Sequence, residues 1–254
     1  MSQPSAVGID IGGTGIKASI VDLDTGALAV ERVRVSTPDP PTPNHVVAAI
    51  GELLGELGGD ADPTRTFGVG FPGVIRDGVI KTAANLDPSW VDLDGVRLFS
   101  EAVGRPAHLI NDADAAGLAE VRFGAGAGVD GVVLMLTFGT GIGSGLFHDG
   151  TLVPNTELGH LDLGGRPAES RAAASVRKEQ ELSWTEWGHE VDVVLREIEK
   201  LFWPDLIVLG GGVSRRFDKF ADQFTGSTRV VPAALGNNAG IIGAALYATE
   251  HDRA

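Results

Sequence analysis

The chain of 254 residues is 43% hydrophobic and 21% charged with 36 glycines, enough apolar material for one large or two small domains with buried cores. Lys and Arg number 20 against 34 Asp and Glu, a net charge of −14 that disfavours adhesion to nucleic acid or to an anionic membrane. Cysteine is absent, which excludes disulfides, thiolate zinc sites, iron–sulfur clusters and a cysteine nucleophile.

The six histidines, at 45, 108, 148, 160, 189 and 251, never fall four apart, so a metal-binding pair on one helical face is not expected. The opening MSQPSAVGID has neither a basic nor an apolar leader character, and no apolar run reaches the ~18–20 residues of a membrane span. A cytoplasmic protein is expected.

In chain order, apolar alternation predicts strands over 6–11, 16–21 and 28–35, with Asp22-Leu23-Asp24-Thr25-Gly26 as the turn before the third. Pro38, Pro40, Pro41 and Pro43 form a stiff connector to a helix after Asn44, whose apolar positions Val46, Val47, Ile50, Leu53, Leu54 and Leu57 recur at helical spacing until Gly58-Gly59. Residues 67–71 and 108–110 are short apolar runs that stop at Pro72-Gly73 and Asn111-Asp112, and an Ala-rich helix over 113–121 follows the second. Further strands are expected over 131–138, 142–147 and 151–153, the last pair joined by His148-Asp149-Gly150.

Trp184, Trp187, Val191, Val194, Leu195, Ile198 and Leu201 mark the longest amphipathic helix, closed by Pro204 before a strand over 206–209, and its tryptophans read as core. A last helix is expected over 237–249. Gly13-Thr14-Gly15-Ile16 recurs as Gly139-Thr140-Gly141-Ile142, an offset of 126 (139 minus 13), in the same strand, turn, strand, acidic-turn setting. Two similar α/β domains are therefore expected, 1–110 and 111–236, with the C-terminal helix of 237–250 packing back on the first.

Three glycine-rich turns follow apolar strands: Asp10-Ile11-Gly12-Gly13-Thr14-Gly15, then Thr137-Phe138-Gly139-Thr140-Gly141, then Gly210-Gly211-Gly212-Val213-Ser214. Turns without Cβ atoms let successive backbone N–H groups converge on an anion, and a Thr or Ser hydroxyl adds a donor, so phosphate is the indicated ligand. A glycine hairpin is also ordinary structure when taken singly. No Gly-Lys-Ser/Thr follows at Walker spacing and no turn leads from a strand into a helix as GxGxxG, so P-loop and dinucleotide readings are set aside.

These segments resemble the ROK family of sugar kinases within the actin-like, ribonuclease-H-like ATPase superfamily. Asp10 to Gly15 resembles the first phosphate motif and Thr137 to Gly145 the second. Ala83-Ala84-Asn85-Leu86, Ile110-Asn111-Asp112-Ala113-Asp114-Ala115 and Glu157-Leu158-Gly159-His160 are similar to the sugar-site motifs, and Leu209 to Ser214 to the third glycine segment. The compact length, Ser183-Trp184-Thr185-Glu186-Trp187 and Phe202-Trp203-Pro204-Asp205-Leu206 point to the polyphosphate-using glucokinase branch of actinobacteria. Most ROK proteins carry a cysteine-rich zinc motif after Glu-x-Gly-His; here Leu161-Asp162-Leu163-Gly164-Gly165-Arg166-Pro167 stands in its place, so no zinc is expected.

The resemblance implies an actin-like/ribonuclease-H-like ATPase fold with two α/β domains and a cleft between them. It makes Asp112 the general base and Gly73, Asn85, Asn111, Asp112, Glu157 and His160 the sugar-binding set, since a hydroxyl both donates and accepts. Asn111 and Asp112 would equally serve to cap the following helix. Phosphate is assigned to Gly12, Gly13, Thr14, Gly15, Lys17, Gly139, Thr140, Gly141, Gly211 and Gly212, although Lys17 also reads as a solvated strand lysine. Asp10 would hold Mg2+ directly or through water.

Among the basic residues Arg166, Arg171, Arg177, Lys178, Arg215, Arg216 and Lys219, Lys178 and Arg215 are singled out as the track for a phosphate chain. The implied activity moves a terminal phosphoryl group from inorganic polyphosphate, with ATP left open as a donor, to the 6-hydroxyl of glucose. The alternative is an ATP-dependent hexose kinase of broader range, taking mannose or an N-acetylated sugar. A sugar-sensing regulator is remote, because nine residues before Asp10 leave no room for a DNA-binding domain. Neither nucleic acid nor membrane is an expected partner, and a homodimer is left open.

Overall fold

A computed structural model describes residues 4–57, 66–83 and 86–252. The chain begins with strands β1 (Ser5–Gly12), β2 (Gly15–Asp22) and β3 (Val33–Val35), helix α1 (Pro43–Glu56) and strand β4 (Phe67–Phe71). A small hairpin, β5 (Ile75–Arg76) and β6 (Val79–Ile80), leads to α2 (Gly95–Val103), β7 (Ala107–Asn111) and α3 (Asp112–Phe123). Strands β8 (Val132–Phe138), β9 (Ile142–His148) and β10 (Thr151–Val153) precede α4 (Glu169–Ala172), α5 (Ala174–Glu179) and α6 (Trp184–Phe202). Strands β11 (Leu206–Gly210) and β12 (Val230–Pro232) and helix α7 (Ala239–Asp252) complete it.

Two units emerge. The first holds the chain up to Ala119 together with the segment from Asn238 onward, and the second holds Glu120–Asn237. The division falls inside α3, whereas the sequence expectation placed it at 110. The first unit's sheet has the order β3-β2-β1-β4-β7 and the second unit's β10-β9-β8-β11-β12. Both join an antiparallel meander to two parallel strands, β1 with β4 and β7 in one, β8 with β11 and β12 in the other. The tetrapeptide repeat thus marks the same β-hairpin in two sheets of equivalent topology.

Helix α7 packs on β1 and β4 at backbone distance, because those strands place glycine where other residues carry a side chain. A Cβ on Gly8 would stand 1.9 Å from the Ile241 carbonyl oxygen, and one on Gly68 would stand 1.9 Å from that of Ala244. Gly243 does the same toward α3, its Cβ position being 1.7 Å from the Ala115 carbonyl oxygen. That double burial explains why the helix is apolar all round from Ala239 to Leu246, before its polar last turn.

The expected third strand over 28–35 is shorter in fact. Leu28 makes one bridge to Val21 and pairing resumes only at β3, because the buried Ser19 hydroxyl donates to the Val30 carbonyl at 2.8 Å and draws the intervening chain off the ladder. Helix α1 starts where Pro43 follows Thr42, whose hydroxyl accepts from the His45 N–H. Gly58 and Gly59, its expected terminators, lie outside the described residues. Helix α6 opens with a Ser183/Glu186 capping box and closes at Trp203, which takes a left-handed conformation before Pro204. Trp187 is fully buried, its indole N–H donating to the Ala172 carbonyl, and half-buried Trp184 stacks on Phe220.

Candidate active site: two sets of glycine turns with their polar neighbours

In the first unit, β1 and β2 pair until Gly12 meets Gly15, which leaves Gly13 and Thr14 exposed at the tip of the first glycine turn. The antiparallel register sets Asp10 opposite Lys17, and the Lys17 ammonium donates to Asp10 Oδ2 at 2.7 Å. Lys17 is thus tied to the mouth of the turn rather than left as a solvated strand residue. The first turn of α7 lies close by: a Cβ on Gly240 would come within 2.9 Å of Asp10 Cγ. Thr37 braces the turn from the other side, its hydroxyl donating to the Gly12 carbonyl.

The chemistry of this donor set suits Mg2+. Among the described residues no three His, Asp or Glu side chains gather as a metal-binding group. A cation beside Asp10 would have one carboxylate and would draw its other ligands from phosphate oxygens and water, the arrangement Mg2+ prefers.

At the end of β7, buried Asn111 is the cap of α3. Its side-chain oxygen accepts from the N–H groups of Ala113 at 2.9 Å and Asp114 at 3.1 Å, and its amide donates to the Gly73 carbonyl at 3.1 Å. The capping alternative is therefore realised by Asn111, and one amide N–H remains from its inventory for a ligand. Asp112, half-buried, occupies the first position of the helix. Gly73 and Asn111 come together through that hydrogen bond. Gly73 has no room for a side chain, since its Cβ would stand 2.0 Å from the Thr82 carbonyl oxygen. Asn85 lies outside the described residues.

In the second unit, Gly139, Thr140 and Gly141 form the corresponding turn, closed by the Gly139 N–H donating to the Gly141 carbonyl. Ser175, near the start of α5, fastens it: its N–H donates to the Gly139 carbonyl and its hydroxyl to that of Thr140. The third glycine turn presses on the second, a Cβ on Gly211 falling 2.3 Å from the Phe138 carbonyl oxygen. Gly139, Thr140, Gly141, Gly211 and Gly212 thus belong to one corner of the second unit.

Glu157 precedes the short helical turn 158–160 and His160 is its last residue, with His160 Nδ1 3.8 Å from Glu157 Oε2. This segment is pressed against the start of β9, where a Cβ on Gly159 would stand 2.1 Å from the Ile142 carbonyl oxygen. Ser144, buried on β9, accepts from the Leu158 N–H and donates to the Thr156 carbonyl, fixing the segment from below.

Two residues escape the sequence reading. One is Ser144. The other is Glu169, the first residue of α4: one carboxylate oxygen accepts from the Ile142 N–H at 3.3 Å, and the other lies 3.5 Å from His160 Nε2. It links the second phosphate turn to the sugar-site motif, and the only sequence signal for it is a carboxylate opening a short helix. Burial pushes the Glu157 carboxyl above its ordinary value; His160 opposes that rise and Glu169 adds to it.

The basic residues divide. Arg171 pairs with Glu190, and Arg177 lies 3.9 Å above the Trp184 ring while donating to the Leu182 carbonyl, so both serve packing. Lys178 on α5 and Arg215 on the segment 212–219 are exposed.

Paired five-stranded sheets of identical order, each with a glycine turn between its first two strands, define the actin-like ATPase fold. The chain belongs to the ROK family, whose sequence profile matches residues 6–173. A polyphosphate glucokinase of Mycobacterium tuberculosis is 48% identical over 246 residues, which cover 96% of this chain and 91% of that protein. The solved inorganic polyphosphate/ATP-glucomannokinase from Arthrobacter sp. strain KM superposes with a TM-score of 0.94 at 48% identity, covering 97% of this chain and 99% of that one. A ROK family glucokinase from Streptomyces griseus, solved with glucose and AMPPNP, matches with a TM-score of 0.84 at 25% identity over 97% of this chain and 99% of that one.

Proposed function

We propose that the protein is a polyphosphate-dependent glucokinase: it transfers the terminal phosphoryl group of inorganic polyphosphate, and also of ATP, to the 6-hydroxyl of glucose. The observation that carries the reading is 48% identity over nearly the whole chain to a polyphosphate glucokinase, with the phosphate and sugar motifs in the same chain. The glucomannokinase likeness favours mannose as a second acceptor.

In this reading Asp112, which follows the capping Asn111 at the start of α3, accepts the proton of the attacking hydroxyl. Asn111 donates its remaining amide N–H to a sugar oxygen; Glu157 accepts from a sugar hydroxyl, and His160, steadied between Glu157 and Glu169, contacts the sugar beside it. Asn85 belongs to the same proposed set. The glycine turns offer backbone N–H groups to phosphate, with Thr14 and Thr140 adding hydroxyl donors, and Lys178 and Arg215 are proposed to meet the chain further out. Mg2+, held by Asp10, would neutralise charge on the donor phosphates.

No helix among the described residues is long and apolar enough to cross a membrane. A cytoplasmic location belongs to the proposal, because donor and product are both anions that do not cross a bilayer unaided. Initial rates of glucose 6-phosphate formation with polyphosphate and with ATP, each with Mg2+, test it. Activity with both donors is expected, and failure of polyphosphate to support any rate would overturn the donor assignment.

A further inference from the structure

The first glycine turn has a second cation beside it that the phosphate motifs do not include. The β1–β2–β3 register sets Asp10, Lys17 and Arg34 in one lateral row, so the three side chains share a face of the sheet, while Ile16 and Ala18 fill the core on the other. Lys17 spends its charge on Asp10 at 2.7 Å. Arg34 does not have that constraint. It folds back over the turn, its Nη2 donating to the Thr14 carbonyl at 2.9 Å, and among the described residues no carboxylate lies within ion-pair distance of it.

Gly15 makes this placement possible. A Cβ there would fall 2.6 Å from both Nε and Nη2 of Arg34, so the guanidinium occupies the space that any other residue at position 15 would fill. On the same strand edge, Arg32 donates to the Asn238 side chain at 3.0 Å, beside the start of α7. In a chain of net charge −14, an exposed guanidinium resting on a glycine turn with a single hydrogen bond to protein is a local reversal of sign. Four of its five N–H donors remain, in the planar fork that matches two oxygens of one phosphate.

We infer that Arg34 binds a non-reacting phosphate of the donor, extending the first glycine turn into a subsite for the phosphate chain. This deepens the proposed function and rests on it. The Thr14 contact holds the guanidinium at the turn, so its remaining donors meet an anion at little cost in side-chain ordering. The subsite lies on β3 in the first unit and is a different segment from Lys178 and Arg215 of the second.

The test compares wild type with Arg34→Ala and Arg34→Lys in donor kinetics, glucose kinetics, thermal unfolding and calorimetric binding of tripolyphosphate. Arg34→Ala is expected to raise the polyphosphate KM about tenfold and to lower the slope of log KM against log[KCl] by roughly 0.7–1, with glucose KM and Tm unchanged. Arg34→Lys keeps the slope and raises KM about threefold, because charge persists without the fork. A rise for polyphosphate alone puts the contact beyond the third phosphate; a rise for ATP as well puts it within the first three.

Unchanged donor KM and salt slope in Arg34→Ala would overturn the inference, as would parallel losses of Tm and of glucose binding, which would make Arg34 only a brace of the turn. If wild type makes no product from polyphosphate, the functional reading fails. Tripolyphosphate binding then still decides the subsite: weaker binding by Arg34→Ala upholds it, and equal binding removes it.

Discussion

Each of the three turns holds one glycine that packing does not require, and alanine substitution exploits the difference from those that it does. Ideal Cβ atoms at Gly13, Gly139 and Gly212 meet nothing within 4 Å, and none of the three has a left-handed backbone, so the fold does not itself demand glycine there. At Gly243 the added atom would stand 1.7 Å from the Ala115 carbonyl oxygen, inside any permissible contact. Gly13→Ala, Gly139→Ala and Gly212→Ala should therefore fold with stability unchanged or raised by about 0.4–1 kcal/mol, from the less flexible unfolded chain.

Donor use should suffer nonetheless. A methyl on the exposed side of the turn displaces a phosphate that approaches the backbone, and a shift of about 1 Å costs roughly 100-fold in rate. A fall of ten- to a hundredfold in kcat/KM for donor is expected, with glucose KM little changed. Gly51→Ala and Gly55→Ala, on the exposed face of α1 and equally unobstructed, are the controls: about 1 kcal/mol more stable each and fully active. Gly243→Ala should lose about 1–3 kcal/mol or more to overpacking. Calorimetric unfolding and donor titrations read both quantities. Full donor kcat/KM in the turn variants, or a loss of Tm there matching Gly243→Ala, would refute the reasoning.

Gly240→Ala moves Asp10 instead. Its Cβ would meet Asp10 Cγ at 2.9 Å against the 3.4 Å of ordinary contact, so a retreat of about 0.5 Å should lower kcat roughly tenfold at unchanged Tm, checked by steady-state kinetics alongside thermal unfolding. Asp112→Asn should keep glucose binding by calorimetry and lower kcat by about two to four decades; near-normal turnover would remove Asp112 from the chemistry. The raised carboxyl of Glu157 predicts a sign in pH dependence: the folded state favours its protonated form, so its contribution to stability is neutral below the unfolded value and unfavourable above the folded one. Denaturation from pH 4 to 8 should accordingly show Glu157→Gln gaining stability over wild type as pH rises, and a constant difference would contradict the burial argument.

The fold was most legible where one pattern dominated. Alternation with an acidic turn located β1, β2, β8 and β9, and the tetrapeptide repeat anticipated that the two sheets would share an order. Helix α6 was readable from its apolar face and its caps. Hairpin β5–β6 was missed although Asp77-Gly78, both left-handed, sits at its turn, because two-residue strands carry no periodicity. Helix α2 was missed despite Asp94 before it and Gly104 after it, while α4 and α5 are too short for a helical repeat to show. Strand β3 was overestimated because a buried serine hydroxyl, not a sequence break, interrupts the ladder.

The candidate site is legible to the extent that its chemistry is local in sequence. Glycine turns and Asn-Asp or Glu-x-Gly-His segments announce themselves; the second side chain that holds each of them does not. Glu169 reaches His160 and the Ile142 N–H from a different segment, and Arg34 reaches Thr14 from a strand 20 positions away. Both depend on tertiary register, which single-residue reading cannot supply. The ambiguity over Asn111 and Asp112 had the same origin, since either residue type can cap a helix and only the hydrogen bonds assign the task to Asn111. From sequence alone Lys17 reads either as a phosphate ligand or as a solvated strand lysine; the antiparallel pairing of β1 and β2 makes it a neighbour of Asp10. The motifs therefore supply the groups proposed to meet substrate, and the register within each sheet supplies neighbours that hold them, as Lys17 and Arg34 show at the first glycine turn.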